Sequence, residues 1–166
     1  MADSENERRH VFTVLVENKA GVLAHVSGLF SSRGFNIDSL AVGETENPQI
    51  SRMTIVARGD EQILEQIMKQ LRKLIYVIKV QDVTPLEHVE RDLILVRVNA
   101  ESHRRAEVCQ IAHIFRANIV DIAQQDLILE LTGNESKIEA LIKLLRPYGI
   151  KEVARTGTVA MLRGKK

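Results

Sequence analysis

The feature that most constrains the fold is an order of secondary-structure elements that occurs twice along the chain. In each half the hydrophobic pattern predicts a strand, a helix, two further strands, a second helix and a closing strand. In the first half the predicted strands are at 11–17, 36–44, 50–58 and 76–83. The predicted helices are at 22–33, where Val22 belongs to the apolar stripe and Gly34 would end the helix, and after Asp60, which would cap the second helix. In the second half the predicted strands are at 93–98, 119–123 and 127–132, with a helix at 101–116, a second helix capped by Asn134 and extended chain at 150–162.

This order predicts two βαββαβ units in tandem, each an antiparallel four-stranded sheet with two helices on one face. That is the ferredoxin-like arrangement, in the α+β class. We predict a polar N-terminal tail at 1–9, a first domain at 10–83, a linker at 84–91 and a second domain at 92–166. Units of this size bury little surface alone, and one face of each sheet lacks helical cover. Association is therefore expected, and the second strand, at a sheet edge, has backbone groups free to pair.

The turn at 18–21 is the most informative loop in the sequence. It joins the first predicted strand to Val22 and Leu23 at the start of the first helix, and it ends on Gly21. A helix N-terminus presents backbone N–H groups and a partial positive charge, so a small carboxylate is a natural ligand for it. The sequence places no catalytic side chain beside this turn. The loop therefore indicates a pocket that senses a metabolite and does not transform it.

The composition argues against several other function classes. Lys and Arg total 23 and Asp and Glu total 22, so the net charge of +1 gives no reason to bind nucleic acid or an anionic membrane. The single cysteine excludes an intrachain disulfide and a multi-cysteine metal site. No apolar run approaches the about 18 residues that span a bilayer, and the first ten residues contain no signal-peptide core. We expect a cytoplasmic protein.

Several segments together resemble a known regulatory family. The strings at 17–23 (ENKAGVL), 28–30 (GLF) and 33–37 (RGFNI) resemble an ACT domain, a module that binds small regulatory molecules. The whole chain, from about residue 10 to 164, is similar to the small regulatory subunits of acetohydroxyacid synthase, also called acetolactate synthase. The further strings that carry this resemblance are at 39–40 (SL), 51–54 (SRMT), 65–74 (EQIMKQLRKL), 89–93 (VERDL) and 152–157 (EVARTG).

The resemblance implies a subunit with no catalytic residues, no metal site and no cofactor of its own. It implies binding to a catalytic large subunit that carries thiamine diphosphate, a divalent metal and FAD. This chain would activate that subunit and confer feedback inhibition by a branched-chain amino acid, with valine the first candidate. The family also implies a homodimer through the ACT domains, with the effector bound where two copies meet.

The resemblance further assigns the residues of the effector site. One copy would contribute the turn and helix start, and its partner would contribute the start of the edge strand. The expected residues are Asn18, Lys19, Ala20, Gly21, Val22 and Leu23 from one copy, with Asn36 and Ile37 from the other. The corresponding loop of the second half, 99–105, has no glycine, and we predict no amino-acid site there.

Three alternatives follow from the residues themselves. The βαββαβ order also occurs in RNA-recognition domains, but these need aromatic residues on the central strands, which here offer only Phe12. An enzyme on this fold would need a nucleophile with a base, or paired acids, and no such set is evident. Cys109 and His113, four residues apart with His103 nearby, suggest a thiol–imidazole pair or a metal site. A buried thiol beside a partly solvated imidazole is the simpler interpretation.

Overall fold

The computed structural model describes residues 8–33 and 35–164, and it has the predicted α+β architecture of two βαββαβ units. The first unit contains β1 (Arg8–Glu17), α1 (Val22–Ser31), β2 (Ile37–Glu44), β3 (Ile50–Gly59), α2 (Glu61–Leu71) and β4 (Val77–Asp82). The following elements are β5 (His88–Asn99), α3 (Arg105–Phe115), β6 (Asn118–Ile122), β7 (Asp126–Gly133), α4 (Glu135–Leu145), a 3-10 turn (Arg146–Tyr148), β8 (Ile150–Arg155) and β9 (Val159–Leu162). The predicted helix-ending role of Gly34 and most of the predicted tail at 1–9 lie outside the described residues.

The two sheets have the same strand order. The first sheet runs β2-β3-β1-β4 and the second β6-β7-β5-β8, with antiparallel neighbours throughout. The prediction that the second strand lies at a sheet edge is therefore confirmed. β9 is an addition to this plan and pairs with β5, whose first two residues belong to the first unit.

The boundaries of the compact units differ from the predicted domain ranges at two places. One unit consists of the described parts of Met1–Val89 and Thr158–Lys166, and the other is Glu90–Gly157. The range 84–91, predicted as a linker, includes the first residues of β5. The segment 158–164, predicted within the second domain, belongs to the first unit because Ala160, 4% exposed, packs in an apolar cluster with Val11 and Val56. Gly157 has φ +87°, a left-handed conformation that favours glycine, at the turn between β8 and β9.

Alternation along β1 divides the side chains between the two faces of the first sheet. Phe12, Val14 and Val16 face the helices and are at most 1% exposed. They pack in the core with Phe30 of α1 and Ile67 of α2. The opposite face of the sheet carries Thr13 and Leu15 and has no helix over it, which leaves room for β9.

The predicted helix caps of the two units are confirmed. The Asp60 side chain accepts a hydrogen bond from the Gln62 N–H at 2.8 Å, and α2 follows it directly. The Asn134 side chain accepts from the Lys137 N–H at 3.1 Å, at the start of α4. Each cap satisfies one of the backbone N–H groups that have no acceptor inside a helix.

The internal repeat extends to single hydrogen bonds at the loops. After β1 the Asn18 N–H donates to the Gln49 carbonyl at 2.7 Å, and after β5 the Ala100 N–H donates to the Gln125 carbonyl at 2.7 Å. The pairing of β1 with β4 and of β5 with β8 also carries a register shift at matching positions. Asn18 and Ala100 are therefore structurally equivalent, and so are the loops that follow them.

Candidate functional site

The turn before α1 depends on the conformation of Gly21. This residue has φ 86° and ψ −13° and occupies the N-cap position of α1, and no side chain of the described residues caps this helix. A Cβ added at Gly21 would meet no atom within 4 Å, so the requirement for glycine is conformational and not one of space within the chain. The exposed turn therefore leaves the start of α1 without a side-chain acceptor for its N–H groups among the described residues.

Asn18 ties this turn to the far end of the edge strand. Its Nδ2 donates to Glu44 Oε1 at 3.0 Å and to the Pro48 carbonyl at 2.9 Å. Glu44 is the last residue of β2, and the Asn18 backbone also bonds to the loop that follows β2. The Asn18 side chain thus holds the turn in place, next to the end of β2.

The Lys19 side chain is engaged within the turn. Its Nζ lies 2.5 Å from Glu17 Oε2 and 5.7 Å from the centre of the Tyr76 ring. The hydrogen bond with Glu17, and then its charge, raise the pKa of Lys19. The carbonyl of Lys19 accepts from the Val22 N–H at a long 3.4 Å, which closes the turn loosely.

The next residues divide between core and surface. Val22 is 3% exposed and packs in the core of the first unit, so its backbone, and not its side chain, is accessible to a ligand. Leu23 is 44% exposed, which is high for a leucine, and Ala20 is exposed beside it. The turn therefore combines backbone N–H groups with one exposed apolar side chain.

Asn36 and Ile37 lie at the opposite end of the sheet from this turn within one chain. Asn36 is exposed and directly precedes β2, and Ile37 pairs with Ala57, which pairs with His10 near the start of β1. The turn instead follows Glu17 at the end of β1. Because a strand rises about 3.3 Å per residue, positions 10 and 17 are about 23 Å apart. One chain alone does not bring the two halves of the expected site together.

The corresponding loop of the second unit is filled by an arginine side chain that the sequence analysis did not single out. Arg105 donates from Nε to the Ala100 carbonyl at 3.1 Å, and from one terminal nitrogen to the carbonyls of Ala123 and Gln124 at 2.6 and 2.7 Å. The predicted start of this helix at 101 is wrong, because α3 begins at Arg105 after a turn. The absence of glycine from 99–105 was the only feature of the sequence that distinguished this loop from the Gly21 turn. The absence of an amino-acid site there stays a prediction.

The remaining candidates from the sequence, Cys109 and His113, belong to the second unit. Cys109 is half-buried against the core of the second unit and His113 is exposed. Within 8–33 and 35–164, no group of three or more His, Cys, Asp or Glu side chains is arranged to hold a metal ion. In the same ranges no helix has the length and apolar character needed to cross a membrane.

Comparison with known proteins gives matches along both units. A family model for the AHAS small subunit-like ACT domain matches residues 12–79, and a model for the small subunit of acetolactate synthase matches 91–164. A probable acetolactate synthase small subunit of Archaeoglobus fulgidus is 56% identical over 158 residues, which cover 95% of this chain and 99% of that protein. The acetolactate synthase small subunit of Aquifex aeolicus is 51% identical over 157 residues, covering 94% of this chain and 82% of that protein.

A solved structure agrees with these sequence matches. The crystal structure of the acetolactate synthase small subunit from Thermotoga maritima superposes with a TM-score of 0.88 and 44% identity. The match covers 96% of this chain and 99% of that one. Residues 12–79 of the first unit match the ACT domain of acetolactate synthase small subunits, and the chain belongs to that family.

Proposed function

We propose that this chain is the non-catalytic regulatory subunit of an acetolactate synthase, and that it binds a branched-chain amino acid, valine first, at the Gly21 turn. Its relatives are named as small subunits of that enzyme, which supports a regulatory role. The observation that carries the proposal is the left-handed Gly21, which opens α1 without a side-chain cap and faces solvent. Such an opening suits the carboxylate of a free amino acid.

Pairing of two copies through β2 would complete the site. β2 has one neighbour in the described sheet, β3, so its outer edge is open to a second copy. Antiparallel pairing of two β2 strands over their full length would place Ile37 of one copy opposite Glu44 of the other. Because Asn18 bonds to Glu44, the Gly21 turn of one copy would meet Asn36 and Ile37 of its partner. The two-fold symmetry of such a dimer would create two sites.

The chemistry of the paired site matches an aliphatic amino acid. The N–H groups of 21–23 would hold the carboxylate, and Asn36 or a neighbouring carbonyl of the partner would accept from the ammonium. Leu23 and the partner's Ile37 would surround the aliphatic side chain. Burial of an isopropyl group contributes about 1.5–3 kcal/mol, and a charge-assisted hydrogen bond about 1.5–3 kcal/mol before the cost of ordering. Micromolar to sub-millimolar affinity follows, with leucine or isoleucine bound more weakly.

The regulatory effect would act on a separate catalytic large subunit. That subunit is proposed to hold the thiamine diphosphate, divalent metal and FAD, and the complex is proposed to be cytoplasmic. An effector changes an equilibrium only when its affinity for the two states differs. A coupling of about 1–3 kcal/mol between effector and catalytic subunit is the usual size.

A reconstitution assay tests this function. The catalytic large subunit from the same source is assayed alone, with this chain, and with this chain plus valine. We expect this chain to raise the rate of acetolactate formation, and valine to lower it only in the mixture. A rate unaffected by this chain contradicts the regulatory role. Activation without any response to valine, leucine or isoleucine contradicts the effector assignment alone.

A further inference from the structure

A cavity lies in the first unit, on the sheet face away from the helices. It has a volume of about 160 Å³ and lies between the sheet and β9. Leu15 of the central strand β1 lines it between β3 and β4, and Met161 and Leu162 of β9 also line it. Two contacts hold β9 there. Ala160, 4% exposed, packs with Val11 and Val56, and the Thr158 N–H donates to Ser39 Oγ at 2.8 Å.

Two cationic side chains flank the centre of this cavity. Leu15 pairs with Arg52 on β3 and with Lys79 on β4, so the three residues form one row across three strands. Neighbouring Cα atoms in antiparallel strands are about 5 Å apart, which places the backbones of the two cationic residues about 10 Å apart. Among the described residues, neither Arg52 nor Lys79 forms an ion pair. The next row of the cavity adds Thr13 and Gln81, which are also polar.

The second unit has a corresponding cavity, in which the positive charge is neutralised by carboxylates of the same unit. Its open face has a cavity of about 150 Å³ in which Arg97 occupies the position of Leu15, because both residues precede the register shift in their strand. Arg97 lies 3.5 Å from Asp126 and 3.5 Å from Glu152. Asp126 also binds Lys151 at 2.9 Å, and these contacts, Lys151 first, lower its pKa. The cation of the second cavity therefore has its own carboxylates.

We propose that the cavity beneath β9 binds a small organic dianion, a dicarboxylate of about four or five carbons. Two cations on either side of an apolar centre match a ligand with a negative group at each end and an uncharged middle. The cavity volume equals that of about five water molecules at about 30 Å³ each. Pockets for drug-sized ligands have volumes of about 300–1,000 Å³, so this cavity suits only a small ligand. The cavity is on the opposite face of the sheet from α1, so this site is independent of the proposed valine site.

Calorimetric titration of the full chain with glutarate and with succinate at low salt tests this site. We expect saturable binding that weakens as sodium chloride is added, because the attraction is screened. Arg52→Gln and Lys79→Gln should each weaken binding about tenfold or more, and the double variant should abolish it. Arg97→Gln is the matched control in the second cavity and should leave the affinity unchanged. Valine titration of each variant reports separately on the proposed effector site and its fold.

Several results would overturn the dianion site. These are the absence of saturable binding with both dicarboxylates, an unchanged affinity in the double variant, or acetate binding as tightly as glutarate. If the double variant fails to fold, the unmodified protein still decides the matter through its methionine methyl groups. Glutarate should shift the Met161 methyl resonance, assigned with Met161→Leu, and leave that of the core residue Met53 in place. An unmoved Met161 resonance at saturation contradicts the proposal.

Discussion

At the scale of single residues, the proposed effector turn depends on one backbone conformation and one side-chain clamp. Gly21 adopts a left-handed conformation that costs other residues about 1–2 kcal/mol. Asn18 then fixes the turn to Glu44 and Pro48 through its side-chain amide. Because the space around Gly21 is open, an added methyl group would clash with no atom of the chain. It would act by straining the backbone and by contacting a bound ligand.

Replacement of Gly21 by alanine should therefore lower the free energy of unfolding by about 1–2 kcal/mol and weaken valine binding. Gly28→Ala is the matched control, because Gly28 lies inside α1, where a Cβ also meets no atom within 4 Å. That change should be neutral or stabilising by up to about 1 kcal/mol. Urea denaturation and calorimetry measure both quantities. Equal effects of the two variants would show that the left-handed turn has no special role.

The sequence predicted the residues at this scale unevenly. Asp60 and Asn134 were identified as caps because capping is a local property of a helix start. Arg105 was missed because its acceptors at Ala123 and Gln124 are 18 and 19 residues away along the chain. The burial of Val22 followed from its predicted place in the apolar stripe of the first helix. This burial leaves only its backbone for a ligand.

At the scale of elements, the proposed dimer depends on the edge strand β2. Its outer edge contains no proline or lysine to discourage pairing, and Val42 is 46% exposed there. The position of β2 followed from the element order alone. The position of β9 did not, because a short extended segment gives no sign of which sheet it covers. Ala160 became informative only once its neighbours Val11 and Val56 were known.

Val42→Lys should weaken the dimer at least tenfold, or about 1.4 kcal/mol, because a lysine on each edge strand discourages the pairing of two β2 strands. Valine binding should be lost with it. Ile78→Lys is the control, since Ile78 is 54% exposed on β4 at the opposite edge of the same sheet. Analytical ultracentrifugation reports the association state. Dissociation of the dimer by Ile78→Lys but not by Val42→Lys would show that the copies pair through β4, which contradicts pairing through β2.

At the scale of the whole molecule, two copies are proposed to share each effector site. Within one chain, the register of the first sheet places Asn36 and the Gly21 turn at opposite ends. An effector held by both parts would stabilise the paired state over the separated chains, and this preference is the means by which it would act on a partner enzyme. The fold alone does not predict such a shared site, since the same fold serves many functions.

Mixing two defective variants distinguishes a site shared by two copies from a site within one chain. Gly21→Asp should abolish valine binding through the negative charge at the turn, and Asn36→Ala should weaken it strongly from the other side of the interface. After unfolding and refolding together, mixed dimers would contain one site with both parts intact, so calorimetry should show valine binding restored at that single site. Loss of binding in both variants with no recovery in the mixture would contradict a shared site.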